Sequence, residues 1–143
     1  MGGFCVSSPV VWCVLRYGSR PVMCTASTRP AGMATTREAL KQLRSRPELK
    51  EALWSNARQL YNGLKDLGFE LGPEISPVVA VRCKDRESAI AQWNQLLEAG
   101  IYVNMMLPPA TPAGASFLRC SISAAHTPEQ ISSIINEFAK LKS

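Results

Sequence analysis

The stretch Tyr102–Ser123, YVNMMLPPATPAGASFLRCSIS, decides the fold of this chain. Tyr102-Val103-Asn104-Met105 follows Gly100, a helix-stopping residue, and its β-branched and aromatic members read as a strand. Pro108, Pro109 and Pro112, with Gly114 close behind, exclude regular structure, because proline lacks a ladder N–H and glycine frees the backbone. A second strand follows at Phe117-Leu118-Arg119-Cys120-Ser121-Ile122, where apolar and polar residues alternate after the first pair. Arg119 is thus one guanidinium in the middle of a half-buried strand. Two readings stand: an exposed residue on a solvent face, or part of an anion-binding rim together with the proline-stiffened loop.

Working outward, Thr127-Pro128-Glu129-Gln130 is a capping box that opens a helix with Ile131, Ile134, Ile135, Phe138 and Leu141 inward. His126 precedes that cap and has neither acid nor nucleophile beside it, so it reads as a local structural residue. On the other side, Asp85 caps a helix whose apolar face is Ala89, Ile90, Trp93, Leu96 and Leu97, and Val78–Cys83 is a strand. Ser45-Arg46-Pro47-Glu48 reads as another capping box, with Ser45 as N-cap. The helix behind it carries Leu49, Leu53, Ala57, Leu60, Leu64 and Leu67 in one stripe and ends at Gly68. Trp54 and Tyr61 lie beside the stripe and read as packing residues rather than cofactor stackers.

Nearer the start, Ser8-Pro9 opens a helix ending near Gly18, and Arg20–Ser27 is extended. A further helix runs from about Pro30 to Leu43. Thr25, Ser27 and Thr28 stand at its N-terminus, either as plain caps or as a phosphate site. From residue 45 onward the order is α-β-α-β-β-α, which predicts an α+β sandwich with helices on one face of three strands.

Composition excludes several classes. At 143 residues, 46% hydrophobic and 19% charged, the chain suits one globular domain or a little more. It has no apolar run of eighteen residues, and its start lacks the basic region of a signal peptide. A cytoplasmic location is expected. Cys5, Cys13, Cys24, Cys83 and Cys120 are scattered without a C-x-x-C, and one histidine cannot complete a zinc set, so buried free thiols and no metal are expected. Residues 1–67 hold ten Lys/Arg against four Asp/Glu, and residues 68–143 hold six against seven. The basic half carries no interleaved aromatic platform, which argues against nucleic acid. A partner surface or the phosphates of coenzyme A fit as well.

The run YVN-x-x-x-PPATPAG-x-x-x-LRCSI, followed by HTPEQI, closely resembles the C-terminal part of the serine palmitoyltransferases. These belong to the α-oxoamine synthases, fold type I enzymes dependent on pyridoxal phosphate (PLP). The resemblance runs from Gly2 to Leu141 and includes GGF, RP-x-x-x-TAS at Arg20–Ser27 and LWSNARQLYNGLKDLGFELG at Leu53–Gly72. It implies that residues 1–44 close the large PLP-binding domain and its connecting helix, and that residues 45–143 form the small C-terminal domain. It implies condensation of L-serine with palmitoyl-CoA to 3-oxosphinganine, CO2 and CoA in sphingolipid synthesis, by a homodimer. By the same resemblance Arg119 holds the substrate carboxylate, and Thr25 and Ala26 contact the PLP phosphate across the dimer interface.

Two departures accompany the likeness. The family's PLP lysine precedes the Gly-Gly pair matched by Gly2-Gly3, whereas the first lysine here is Lys41, so the chain alone is expected to be inactive and to contain no catalytic residue. The family's second carboxylate-binding arginine precedes PPATP, where this chain has Leu107. A noncatalytic module paired with a lysine-bearing subunit is the alternative reading, and a free-standing small-ligand or RNA-binding α+β domain is a third.

Overall fold

The computed structural model describes residues 7–20, 29–111 and 114–142, and its chain divides into two compact units, Met1–Ser45 and Arg46–Ser143. In the first unit, helix α1 (Pro9–Gly18) starts where expected, with Ser8 as N-cap and proline in the first turn. Helix α2 (Pro30–Ser45) runs two residues beyond the expected end. Neither helix contains a buried residue.

That extension overturns the expected cap at Ser45. Ser45 is the last residue of α2, and its hydroxyl donates back to the Gln42 carbonyl at 3.4 Å. The next helix, α3 (Pro47–Asp66), takes Arg46 as N-cap with no side-chain cap bond. Proline at 47 biases the preceding residue away from helical backbone, which puts the break at Arg46. The Arg46 Nε–H instead donates to the Glu48 carboxylate at 3.0 Å and lowers its pKa.

The second unit continues with β1 (Val78–Cys83), α4 (Arg86–Glu98), β2 (Asn104–Met106), β3 (Ser116–Ser121) and α5 (Pro128–Lys140). Its class is α+β, in the expected element order. Asp85 caps α4 by accepting from the Ser88 N–H at 2.7 Å, which depresses its own pKa. Thr127 and Gln130 form the reciprocal capping box of α5, with bonds of 3.3 and 2.9 Å. The strand expected at 102–105 forms at Asn104–Met106. The Val103 carbonyl is taken by the Trp93 indole N–H at 2.8 Å, and Tyr102 is exposed.

The sheet is antiparallel in the order β1-β3-β2, with β3 central. Val81, Leu118 and Met105 are opposite one another, and so are Ala80, Arg119 and Asn104. Since strand side chains alternate with period two, these two rows lie on opposite faces. The first face joins the core, where Val79, Val81, Leu118 and Cys120 pack with Leu60 and Leu64 of α3, Leu96 of α4, and Ile131 and Phe138 of α5. Each such side chain contributes about 1.5–3 kcal/mol by leaving water. Gly63 of α3 sits so close to α5 that a Cβ there would come within 2.5 Å of Ile135 Cδ1. A bridge between Leu71 and Val81, unforeseen from the sequence, extends the pairing beyond β1.

Candidate anion-binding site on the central strand

Arg119 occupies the centre of the open face, with Ala80 beside it on β1 and Asn104 on β2. It is half-buried, so the simple exposed reading fails. Its Nε is buried and has no hydrogen-bond partner. None of the ion pairs among the described residues involves it. A buried donor without an acceptor costs about 1–3 kcal/mol, more when charged, so the described residues leave this guanidinium unsatisfied. Arg82, farther along the same face, lies 3.2 Å from Glu70 and has its carboxylate already.

The proline loop returns the chain to β3 under local constraint. Ala110 N–H donates to the Leu107 carbonyl at 3.0 Å, and the buried Thr111 hydroxyl donates to the Ala115 carbonyl at 2.5 Å. The Pro108–Pro109 bond is cis. Leu107 is half-buried and packs against the core, so this loop position offers no cation. Thr25 and Ala26, expected at a phosphate, lie outside the described residues, as do Ser27 and Thr28. Of the expected site residues, only Arg119 can be placed.

Neighbouring candidates resolve into structural roles. His126 Nδ1 accepts from the Ser123 N–H at 3.0 Å, and its carbonyl accepts from Asn56 Nδ2 at 2.8 Å. Tyr61 is buried and donates to the Gly72 carbonyl at 2.8 Å, while Trp54 is half-buried on α3. Burial pushes the Cys120 thiol up to about 12 and raises Cys83 as well, so neither supplies a thiolate at neutral pH. Cys13 is exposed, against the expectation of buried thiols, and Cys5 and Cys24 lie outside the described residues. No group of three metal-ligating side chains occurs among the described residues. No helix there is long and apolar enough to cross a membrane.

Sequence reasoning singled out Arg119 but not its neighbour Asn104, whose carboxamide oxygen accepts from the Tyr102 hydroxyl at 3.1 Å. Only the strand order β1-β3-β2 brings Asn104 beside Arg119, and no local pattern reports it.

The chain is 48% identical over 141 residues to a serine palmitoyltransferase of Caulobacter vibrioides, covering 99% of this chain and 35% of that protein. An 8-amino-7-oxononanoate synthase of Alkaliphilus oremlandii is 30% identical over 141 residues, covering 99% of this chain and 36% of that protein. Among solved structures, a serine palmitoyltransferase carrying PLP superposes with a TM-score of 0.83 at 46% identity, over 95% of this chain and 35% of that one. The chain therefore spans about a third of the length of the curated relatives it matches. The family profile for aminotransferase class I and II matches residues 1–138, and to that family this chain belongs.

Proposed function

We propose that these residues form the C-terminal part of a PLP-dependent serine C-palmitoyltransferase, with Arg119 as the anchor for the serine carboxylate. The observation that carries this is the Arg119 guanidinium, which has no ion pair among the described residues and lies on the sheet face opposite the core. The likeness to serine palmitoyltransferases, 48% against 30% for an oxononanoate synthase, supports the serine-using branch. In this reading residues 1–44 belong to the large domain and residues 45–143 form the small domain. The enzyme acts as a homodimer, and Thr25 and Ala26 hold the cofactor phosphate.

PLP, when bound, supplies the electron sink that lets an amino acid lose its α-proton. The chain's own task is orientation. A guanidinium stays charged at every working pH and grips both carboxylate oxygens in one plane, which fixes the substrate Cα relative to the cofactor. Packing of Leu118 and Cys120 into the core holds the backbone of Arg119 between two paired strands, so the anchor rests on a rigid element.

The test is to put residues 1–143 in place of the matching third of the Caulobacter vibrioides relative. The hybrid is expected to condense L-serine with palmitoyl-CoA. A folded hybrid that binds PLP but neither binds serine nor turns over would overturn the proposal. A hybrid that folds and binds serine without turnover would favour the noncatalytic, partner-dependent reading.

A further inference from the structure

Two side chains lie directly opposite Arg119 in the sheet, Ala80 on β1 and Asn104 on β2. Ala80 offers a methyl group and no polar atom. Asn104 is half-buried, and directly opposed residues of an antiparallel pair have Cβ atoms about 4.5–5.5 Å apart, close enough for one small ligand to touch both. The Asn104 oxygen already accepts from the Tyr102 hydroxyl at 3.1 Å. Its amide nitrogen, with two N–H donors, has no hydrogen-bond partner among the described residues. Arg82 is paired with Glu70, and Leu107 is packed against the core. The unpartnered N–H groups at this row are thus the Arg119 guanidinium and the Asn104 amide. Adjacent donors without an acceptor are complementary to an anion with two oxygens.

We infer that Asn104 is the second arm of the carboxylate site, and that Tyr102 is a positioning residue. The Asn104 amide N–H donates to one carboxylate oxygen while the Arg119 guanidinium takes the other. The Tyr102 hydroxyl holds the amide oxygen, which turns the nitrogen end toward the ligand. This rests on the reading of Arg119 as a carboxylate anchor. It adds that the second contact is neutral, so the described residues meet the ligand with one positive charge.

The experiment is a titration of the 143-residue chain with L-serine, followed by the side-chain N–H resonances of Arg119 and Asn104 in proton–nitrogen correlation spectra. Both are expected to shift together with one dissociation constant. Asn104→Ala should raise that constant roughly 10-fold or more, the loss of one hydrogen bond to a charged group. Asn104→Asp, nearly the same shape, should raise it roughly 10-fold or more by setting a like charge beside the carboxylate. Tyr102→Phe should leave the backbone spectrum in place yet abolish the serine-induced shift of the Asn104 amide, a change that a merely structural role would not produce. If Arg119 shifts while Asn104 stays still, and Asn104→Ala binds like the parent, the inference is overturned and the Arg119 reading survives. If neither shifts, both fall.

Discussion

Helices α1 and α5 are both amphipathic and both open on proline behind a hydroxyl cap, but they end in different surroundings. In α1, Val10, Val14 and Tyr17 remain 76%, 68% and 76% exposed, and no residue of α1 or α2 is buried. In α5, Ile131 and Phe138 are fully buried, and Phe138 meets Phe69 edge-on at 5.6 Å between ring centroids. Caps and propensities set helix limits in both units, because those signals act within a few residues. Burial depends on which element arrives opposite, and among the described residues only those of Arg46–Ser143 bring strands and helices around a shared core. The candidate site lies on that unit's central strand, where a rigid backbone can hold a guanidinium in place.

The largest expected difference between the units is in unfolding energy. Phe138→Ala should cost about 3–5 kcal/mol in urea unfolding, whereas Val14→Ala should stay within about 0.5 kcal/mol. Equal losses would erase the distinction drawn between the two helices.

Alkaline pH should act on the second unit through Cys120. Its folded pKa, about 12, lies above the ordinary thiol value of 9.0, so above pH 9 the unfolded chain releases a proton that the folded chain keeps. Stability is therefore intact below about pH 9 and falls by roughly 1.4 kcal/mol per pH unit between there and about 12. Cys83 is raised in the same sense and adds to that decline. Unfolding curves at several pH values should show a shallower decline for Cys120→Ala, and an unchanged decline would refute the assignment.

Gly63→Ala sharpens the comparison at the α3–α5 contact. The added methyl meets Ile135 Cδ1, and overpacking of about 1–3 kcal/mol outweighs a helix-propensity gain of about 1 kcal/mol. A net loss near 1 kcal/mol is expected, relieved by Ile135→Val, which removes the closest atom. A stabilised Gly63→Ala variant would mean that the two helices have slack between them.

The smallest effect separates two caps. Thr127 belongs to a reciprocal box on a helix packed into the core, while Ser8 accepts from Val11 at 3.5 Å on a helix with nothing buried. Thr127→Ala should lower global stability by about 1 kcal/mol. Ser8→Ala should leave global unfolding unchanged and reduce only local helicity, as seen by hydrogen exchange.

The legible parts of the fold share one property: their signals are short in range. Val78–Cys83, the Asp85 cap, the Thr127 box and the Pro9 start could all be read from a handful of residues. The break near residue 45 misled because Ser45-Arg46-Pro47-Glu48 satisfies the capping pattern. The preceding helix instead runs through Ser45 and leaves Arg46 to begin the next. Strand β2 formed two residues late because Tyr102 is exposed and the Val103 carbonyl is taken by Trp93. Arg119 was visible as a lone charge in a strand. That its Nε is buried without an acceptor, with Asn104 beside it, depends on the crossover order of the sheet, which is nonlocal.

The most direct test concerns Arg119 in the hybrid carrying the remaining two-thirds of the relative. L-Serine dissociation and turnover would be measured for the parent, Arg119→Ala and Arg119→Lys. Removing hydrogen bonds to a charged group, worth about 1.5–3 kcal/mol each, should weaken serine binding roughly 10-fold or more in Arg119→Ala. Arg119→Lys should recover part of that loss, because an ammonium keeps the charge without the planar fork. Serine binding by Arg119→Ala equal to that of the parent would contradict the assignment and place the carboxylate anchor elsewhere.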